Sequence, residues 1–163
     1  MNFHEGDPVM HWTYGFGKVI RLEERALSGQ NALYYAVQIG DLTVWVPADD
    51  MLETRLRPPT SKAGFKELRA ILSEPGEPLP DDRQDRKTWL LELLKDGRAE
   101  SLCRVIRDLS AYRQVRSLNE NDQALMRRAQ NALLGEWGFA LSVTPAQAEL
   151  ELHRLLTPAP AGD

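Results

Sequence analysis

The first fifty residues alternate apolar and polar side chains over spans too short for helix. Val9 to His11, Lys18 to Glu23, Leu33 to Ile39 and Leu42 to Pro47 each read as a strand, with glycine-bearing turns between them. The stretch Leu42-Thr43-Val44-Trp45-Val46 is the clearest, placing Leu42, Val44 and Val46 on one face and Thr43 and Trp45 on the other. Gly40-Asp41 supplies the tight turn before it. Gly15 and Gly17 allow the bend after Tyr14, and Ser28-Gly29-Gln30-Asn31 forms a further turn. Strands this short bury a common core by curling on themselves, so the expected fold of this part is a small Tudor- or SH3-like β-barrel.

Pro58-Pro59 removes two backbone donors in succession and ends that pattern. Beyond it the period lengthens to that of a helix. Phe65, Leu68, Ile71 and Leu72 line one short helix, which the proline-rich stretch 74–80 breaks. A second helix is expected from about Asp82 to Asp96-Gly97, with Trp89, Leu90, Leu93 and Leu94 in its core. Ala99, Leu102, Cys103, Ile106 and Leu109 mark a third. Asn119 can cap a fourth, whose buried face is Leu125, Met126, Ala129, Leu133 and Trp137. Thr144-Pro145-Ala146-Gln147 is a cap, a proline at the first helical position and a capping-box glutamine, starting a fifth helix that runs to about Leu156. The tail from 157 is expected to fray. The class is therefore α+β: a β module at 1–57 followed by a compact all-helical module at 58–163.

Little in the chain suggests bond chemistry. His4, His11 and His153 lack metal-pair spacing, and Gly15-Phe16-Gly17 has no phosphate-loop continuation. The single cysteine, Cys103, excludes an internal disulfide and sits among apolar neighbours. No apolar run approaches the roughly 18 residues that span a bilayer, and no signal-peptide pattern follows Met1, so a cytoplasmic protein without membrane association is expected. The net charge of −4 hides an asymmetry. Residues 1–57 carry 5 basic and 8 acidic side chains, whereas residues 83–137 carry 11 basic and 8 acidic. A locally basic helical region is compatible with weak phosphate contact, and equally with an ordinary solvated helix surface.

In order and kind, these motifs resemble the CarD/CdnL family of bacterial transcription regulators. The N-terminal part of the match is Phe3, Gly6-Asp7, Val9, Tyr14-Gly15-Phe16-Gly17-Lys18-Val19 and Gly40-Asp41-Leu42-Thr43-Val44-Trp45-Val46-Pro47. The helical part is Leu94-Lys95-Asp96-Gly97, Val105-Ile106-Arg107-Asp108-Leu109 and Leu133-Leu134-Gly135-Glu136. The resemblance covers roughly residues 1–156. It implies a protein without cofactor or enzymatic activity, expected to be a monomer. Its β module would add an edge strand to the RNA polymerase β subunit. Its helical module would touch promoter DNA at the upstream edge of the transcription bubble and so stabilise the open complex.

Carried over position by position, the resemblance assigns polymerase contact to Thr43, Trp45, Val46 and Pro47, supported by Arg25. Trp45 stands where many relatives have arginine, and alternation predicts it exposed. A wedge tryptophan of the family falls on Arg83, which can meet phosphate or enter a minor groove but cannot wedge. Arg86, Lys87, Arg127 and Arg128 are the remaining expected phosphate contacts. Asp81, Asp82 and Asp85 nearby oppose DNA, so weak, largely non-specific binding through about two to four phosphates is expected. The same residues leave open a protein-interaction adaptor that docks on polymerase without productive DNA contact.

Overall fold

A computed structural model describes residues 2–27 and 29–157. Ser28 of the second turn and the tail from Pro158 onward lie outside the described residues. The chain divides into two compact units, residues 1–59 and 60–163.

Unit 1 contains β1 (Pro8–His11), β2 (Gly15–Arg25), β3 (Ala32–Ile39), β4 (Leu42–Pro47) and β5 (Leu56–Arg57), with a single 3₁₀ turn at Leu52–Thr54 before β5. They form one antiparallel Tudor-like sheet in the order β4-β3-β2-β1-β5, so β4 and β5 are its edges. Its core is Phe3, Val9, Val19, Tyr35, Val37, Val46, Leu52 and Leu56. The face assigned to β4 is correct, but its burial is graded: Val46 is buried, Val44 is partly covered and Leu42, beside the hairpin tip, is exposed. A Cβ on Gly17 would lie 2.5 Å from the Gln38 carbonyl oxygen, so only glycine lets β2 approach β3 there.

One irregularity in β2 decides which of its side chains face outward. Val19 pairs with Val37 but Arg21 pairs with Ala36, so a bulge at Ile20 shifts the register by one residue. Uninterrupted alternation would keep Arg21, Glu23 and Arg25 on the core face with Val19. The bulge turns all three onto the outer face.

Unit 2 contains α1 (Phe65–Ser73), α2 (Arg83–Leu94), α3 (Ala99–Arg113), α4 (Glu120–Leu141) and α5 (Pro145–Leu156). The expected caps are present. Asn119 and Thr144 each accept the backbone N–H three residues on, and Asp122 and Gln147 return the bond. Phe65, Leu68, Leu72, Cys103, Ile106, Leu109, Leu133 and Trp137 are among the buried residues of one continuous core. Burial pushes the Cys103 thiol up to about 12, which makes it an inert core residue.

Helix α3 is central, packing on α1, α2 and α4. Its last turns are buried all round, so Arg107 and Asp108 are interior charges. Arg107 reaches Asp108 at 2.9 Å and Glu74 at 3.0 Å, and Asp108 accepts the Glu77 N–H at 2.9 Å. This trio pins the proline-rich segment against α3. A Cβ on Gly76 would meet that of Ala111 at 2.4 Å, so glycine is needed for the close approach. A second interior carboxylate, Glu136, accepts the Thr60 N–H at 2.7 Å, fixing the start of the unit to α4.

Candidate functional site

The open edge of β4 follows from the phase of its hairpin. A two-residue loop makes Ile39 and Leu42 a hydrogen-bonded pair, and the Ala48 N–H donating to Leu33 O at 2.9 Å keeps that phase. Thr43, Trp45 and Pro47 therefore occupy the alternate positions, where main-chain groups turn away from β3. Pro47 fits because the N–H it lacks would have served nothing in the sheet. What remains is a short ladder of outward donors and acceptors at Thr43 and Trp45.

The outer face beside this edge is ordered by Trp45. The residue stands opposite Ala36, and its indole N–H reaches across β3 to donate to Glu23 on β2 at 2.6 Å. Ala36, fully buried, leaves room for the ring to cross. The Arg25 guanidinium carbon lies 4.6 Å from the ring centroid, a cation–π contact, while Arg25 also meets Glu23 at 3.4 Å and Arg21 meets it at 2.9 Å. The indole donor, then Arg21, hold the Glu23 carboxyl down to about 2. Trp45 is thus half-buried rather than free in solvent, held by its bond to Glu23 and covered on one face by Arg25.

The helical residues expected to face DNA separate into different environments. Arg86 is a correction. It is only 3% exposed, forms two parallel bonds of 2.9 Å to Asp122, and donates to the carbonyls of Pro80 and Asp81 and to the Tyr112 hydroxyl. Its guanidinium has no face left for phosphate, and the Asp122 bonds hold its pKa above the usual arginine value. Trp89 is the converse correction, expected in the core but 50% exposed. The buried row of α2 is Arg86, Leu90 and Leu94, spaced by four, and Trp89 and Leu91 flank it on either side. A charged residue holding a core position conceals that row from a reading of apolar spacing.

Arg83 and Lys87 are exposed on α2, and Lys87 lies about 200° around the helix from Trp89. Arg127 is exposed on α4, and Arg128 is partly buried with interactions of its own. Two of the opposing carboxylates have structural work: Asp82 caps α2, and Asp81 pairs with Arg116 at 3.5 Å. Among the described residues, no group of His, Cys, Asp and Glu could hold a metal ion. His11 is a turn residue whose Nδ1 accepts the N–H groups of Thr13 and Tyr14, and burial lowers its pKa. No helix among the described residues is long and apolar enough to cross a membrane.

Unit 1 is thus a bent sheet with an open edge at β4, and unit 2 carries exposed cations. Residues 3–59 match the CarD-like/TRCF RID domain, and residues 67–153 match the CarD C-terminal domain. The chain belongs to the CarD family. It is a transcription regulator of the kind that interacts with RNA polymerase, which is not an enzyme class. It is also 24% identical over 151 residues to YdeB of Bacillus subtilis, a protein named as a candidate transcription factor, covering 89% of this chain and 96% of that one.

Sequence reasoning missed Glu23, which organises Trp45 and both arginines, and Asp122, which neutralises Arg86. The capping-box position of Asp122 was readable. Its second role as an ion-pair partner across helices was not.

Proposed function

We propose that this protein docks on the β subunit of RNA polymerase through β4 and contacts promoter DNA weakly through its helical unit, stabilising the open complex. The observation that carries the reading is the outward ladder of Thr43 and Trp45 on an edge strand. Such an edge can extend a partner sheet, with main-chain bonds supplying affinity. The Trp45–Arg25 stack beside it supplies a rigid aromatic and a cation for selectivity, both common interface anchors.

On the DNA side, Arg83, Lys87 and Arg127 remain as phosphate contacts, whereas Arg86 no longer belongs to the set. Trp89, half-exposed on α2 and about 200° around it from Lys87, is a separate apolar contact that would press on the bubble edge from a different side of the helix than Arg83 and Lys87. An adaptor that binds polymerase alone is the competing reading, favoured by Asp85 and Glu92 near Trp89 on α2.

Thr43→Pro tests the edge directly. Position 43 uses no N–H toward β3, so the substituted sheet retains its main-chain ladder and loses one outward donor, together with the exposed Thr43 hydroxyl bond to Gln38. The expected result is a folded protein whose affinity for an isolated β-lobe fragment falls at least about tenfold, the equivalent of one good hydrogen bond. Unchanged affinity in a folded Thr43→Pro variant overturns docking through β4.

A further inference from the structure

We infer that a solvent-facing pocket between the end of α3 and the first half of α4 binds a phosphate-bearing ligand of nucleotide size. Its volume is about 460 Å³, within the range of small-molecule sites. Gln123, Met126, Arg127 and Gln130 form one wall at the spacing i, i+3, i+4, i+7, so they share a single stripe of α4. Arg113, in the last turn of α3, forms the opposite wall with Ser117 and Leu118.

The charge arrangement identifies the ligand class. No carboxylate lines the pocket. Arg69, Arg86, Arg98, Arg107, Arg116 and Arg154 of the same unit each pair with an acid. Arg113 and Arg127 do not, nor do Arg83 and Arg104, but Arg113 and Arg127 stand together in one pocket, and no other residue among those described bonds to either side chain. The C-terminus of α3 can account for a cation at Arg113, but Arg127 lies in the middle of α4, where no helix end favours it.

Two unpaired guanidiniums lining one cavity repel each other until an anion joins them, and their planar forks match phosphate oxygens. Gln123 donates to Leu118 O at 3.0 Å, which leaves its amide oxygen to accept from a ligand. Partly buried Leu118 gives the pocket an apolar side for a base or sugar, with the buried Met126 beneath it.

The phosphate could arrive on a free nucleotide-like molecule or on a DNA backbone, and only the second source rests on the DNA-contact reading above. The test uses the full chain at low ionic strength, with inorganic pyrophosphate and a short DNA duplex as probes, followed by backbone amide NMR. Pyrophosphate is expected to shift the amides around 113–130. In Arg113→Ala,Arg127→Ala its affinity is expected to fall at least about tenfold, as for loss of charge-assisted bonds. Both side chains are exposed and unpaired, so the thermal midpoint of that variant should stay at the wild-type value.

Displacement of pyrophosphate by the duplex supports the site with DNA as its source. Pyrophosphate binding that the duplex leaves intact supports it with a small ligand. Absence of localised shifts, or equal affinity in the double variant, overturns the proposal. Binding to the β-lobe fragment is expected to be the same for wild type and double variant, so failure here is distinct from failure of polymerase docking.

Discussion

The outer face of the sheet and the junction of α2 with α4 are built from the same three parts. In one, Arg25 lies 4.6 Å over the Trp45 ring and shares Glu23. In the other, Arg86 lies 4.7 Å over the Tyr112 ring, donates to its hydroxyl and pairs with Asp122, which the ring does not touch. The difference is exposure: Arg25 and Trp45 are half-buried at an open edge, whereas Arg86 and Asp122 are almost sealed. An arginine, a ring and a carboxylate can thus make an accessible surface cluster or a structural clamp. The number of hydrogen bonds still available to a partner decides which.

The contrast is most severely tested at the clamp. Arg86→Ala leaves Asp122 buried without its partner, and should lower the unfolding free energy measured in urea by about 3–5 kcal/mol. A loss below about 1 kcal/mol, as for a surface ion pair, would erase the distinction between the two triads. Replacing both members by apolar residues, Arg86→Met with Asp122→Leu, should recover much of the loss, although Asp122 also caps α4.

The next effect concerns DNA. Lys87→Gln should lower the salt slope of duplex binding by about one, as expected for one lost phosphate contact. Trp89→Ala should shorten the open-complex lifetime on polymerase without altering that slope. A slope unaffected by Lys87, with lifetime unaffected by Trp89, favours the adaptor.

The smallest effect is the response of the exposed triad to acid. Glu23 has its pKa lowered from 4.5 to about 2. Its interaction is therefore fully present above about pH 4.5 and is lost as pH falls toward about 2. The Trp45 indole N–H resonance should hold its position from pH 7 to 4.5 and move only below. Movement centred near pH 4.5 would mean that the Trp45–Glu23 bond is not formed in solution.

Much of the fold was legible because local rules and global packing agree. Alternation located β4 to the residue, and the caps at Asn119 and Thr144 located the starts of α4 and α5. Two features escaped for definite reasons. The bulge at Ile20 has no glycine or other local signal, yet it decides that Arg21, Glu23 and Arg25 meet Trp45 rather than the core. Interior charges also break the apolar code. Arg86 holds a core position on α2 and displaces Trp89 to the surface, while Arg107 and Asp108 extend the buried part of α3 beyond its apolar stripe. The candidate site was legible as residue types at β4 and illegible as a cluster, because Trp45 and Glu23 stand 22 positions apart in the chain.

The most direct test of the account is binding of the purified protein and of its Trp45→Ala,Arg25→Glu variant to an isolated β-lobe fragment of RNA polymerase. The account predicts measurable wild-type binding that weakens by at least about thirtyfold in the variant, the scale of an interface hot spot of about 2 kcal/mol. Equal binding by a folded variant, or no binding by the wild type, would contradict it.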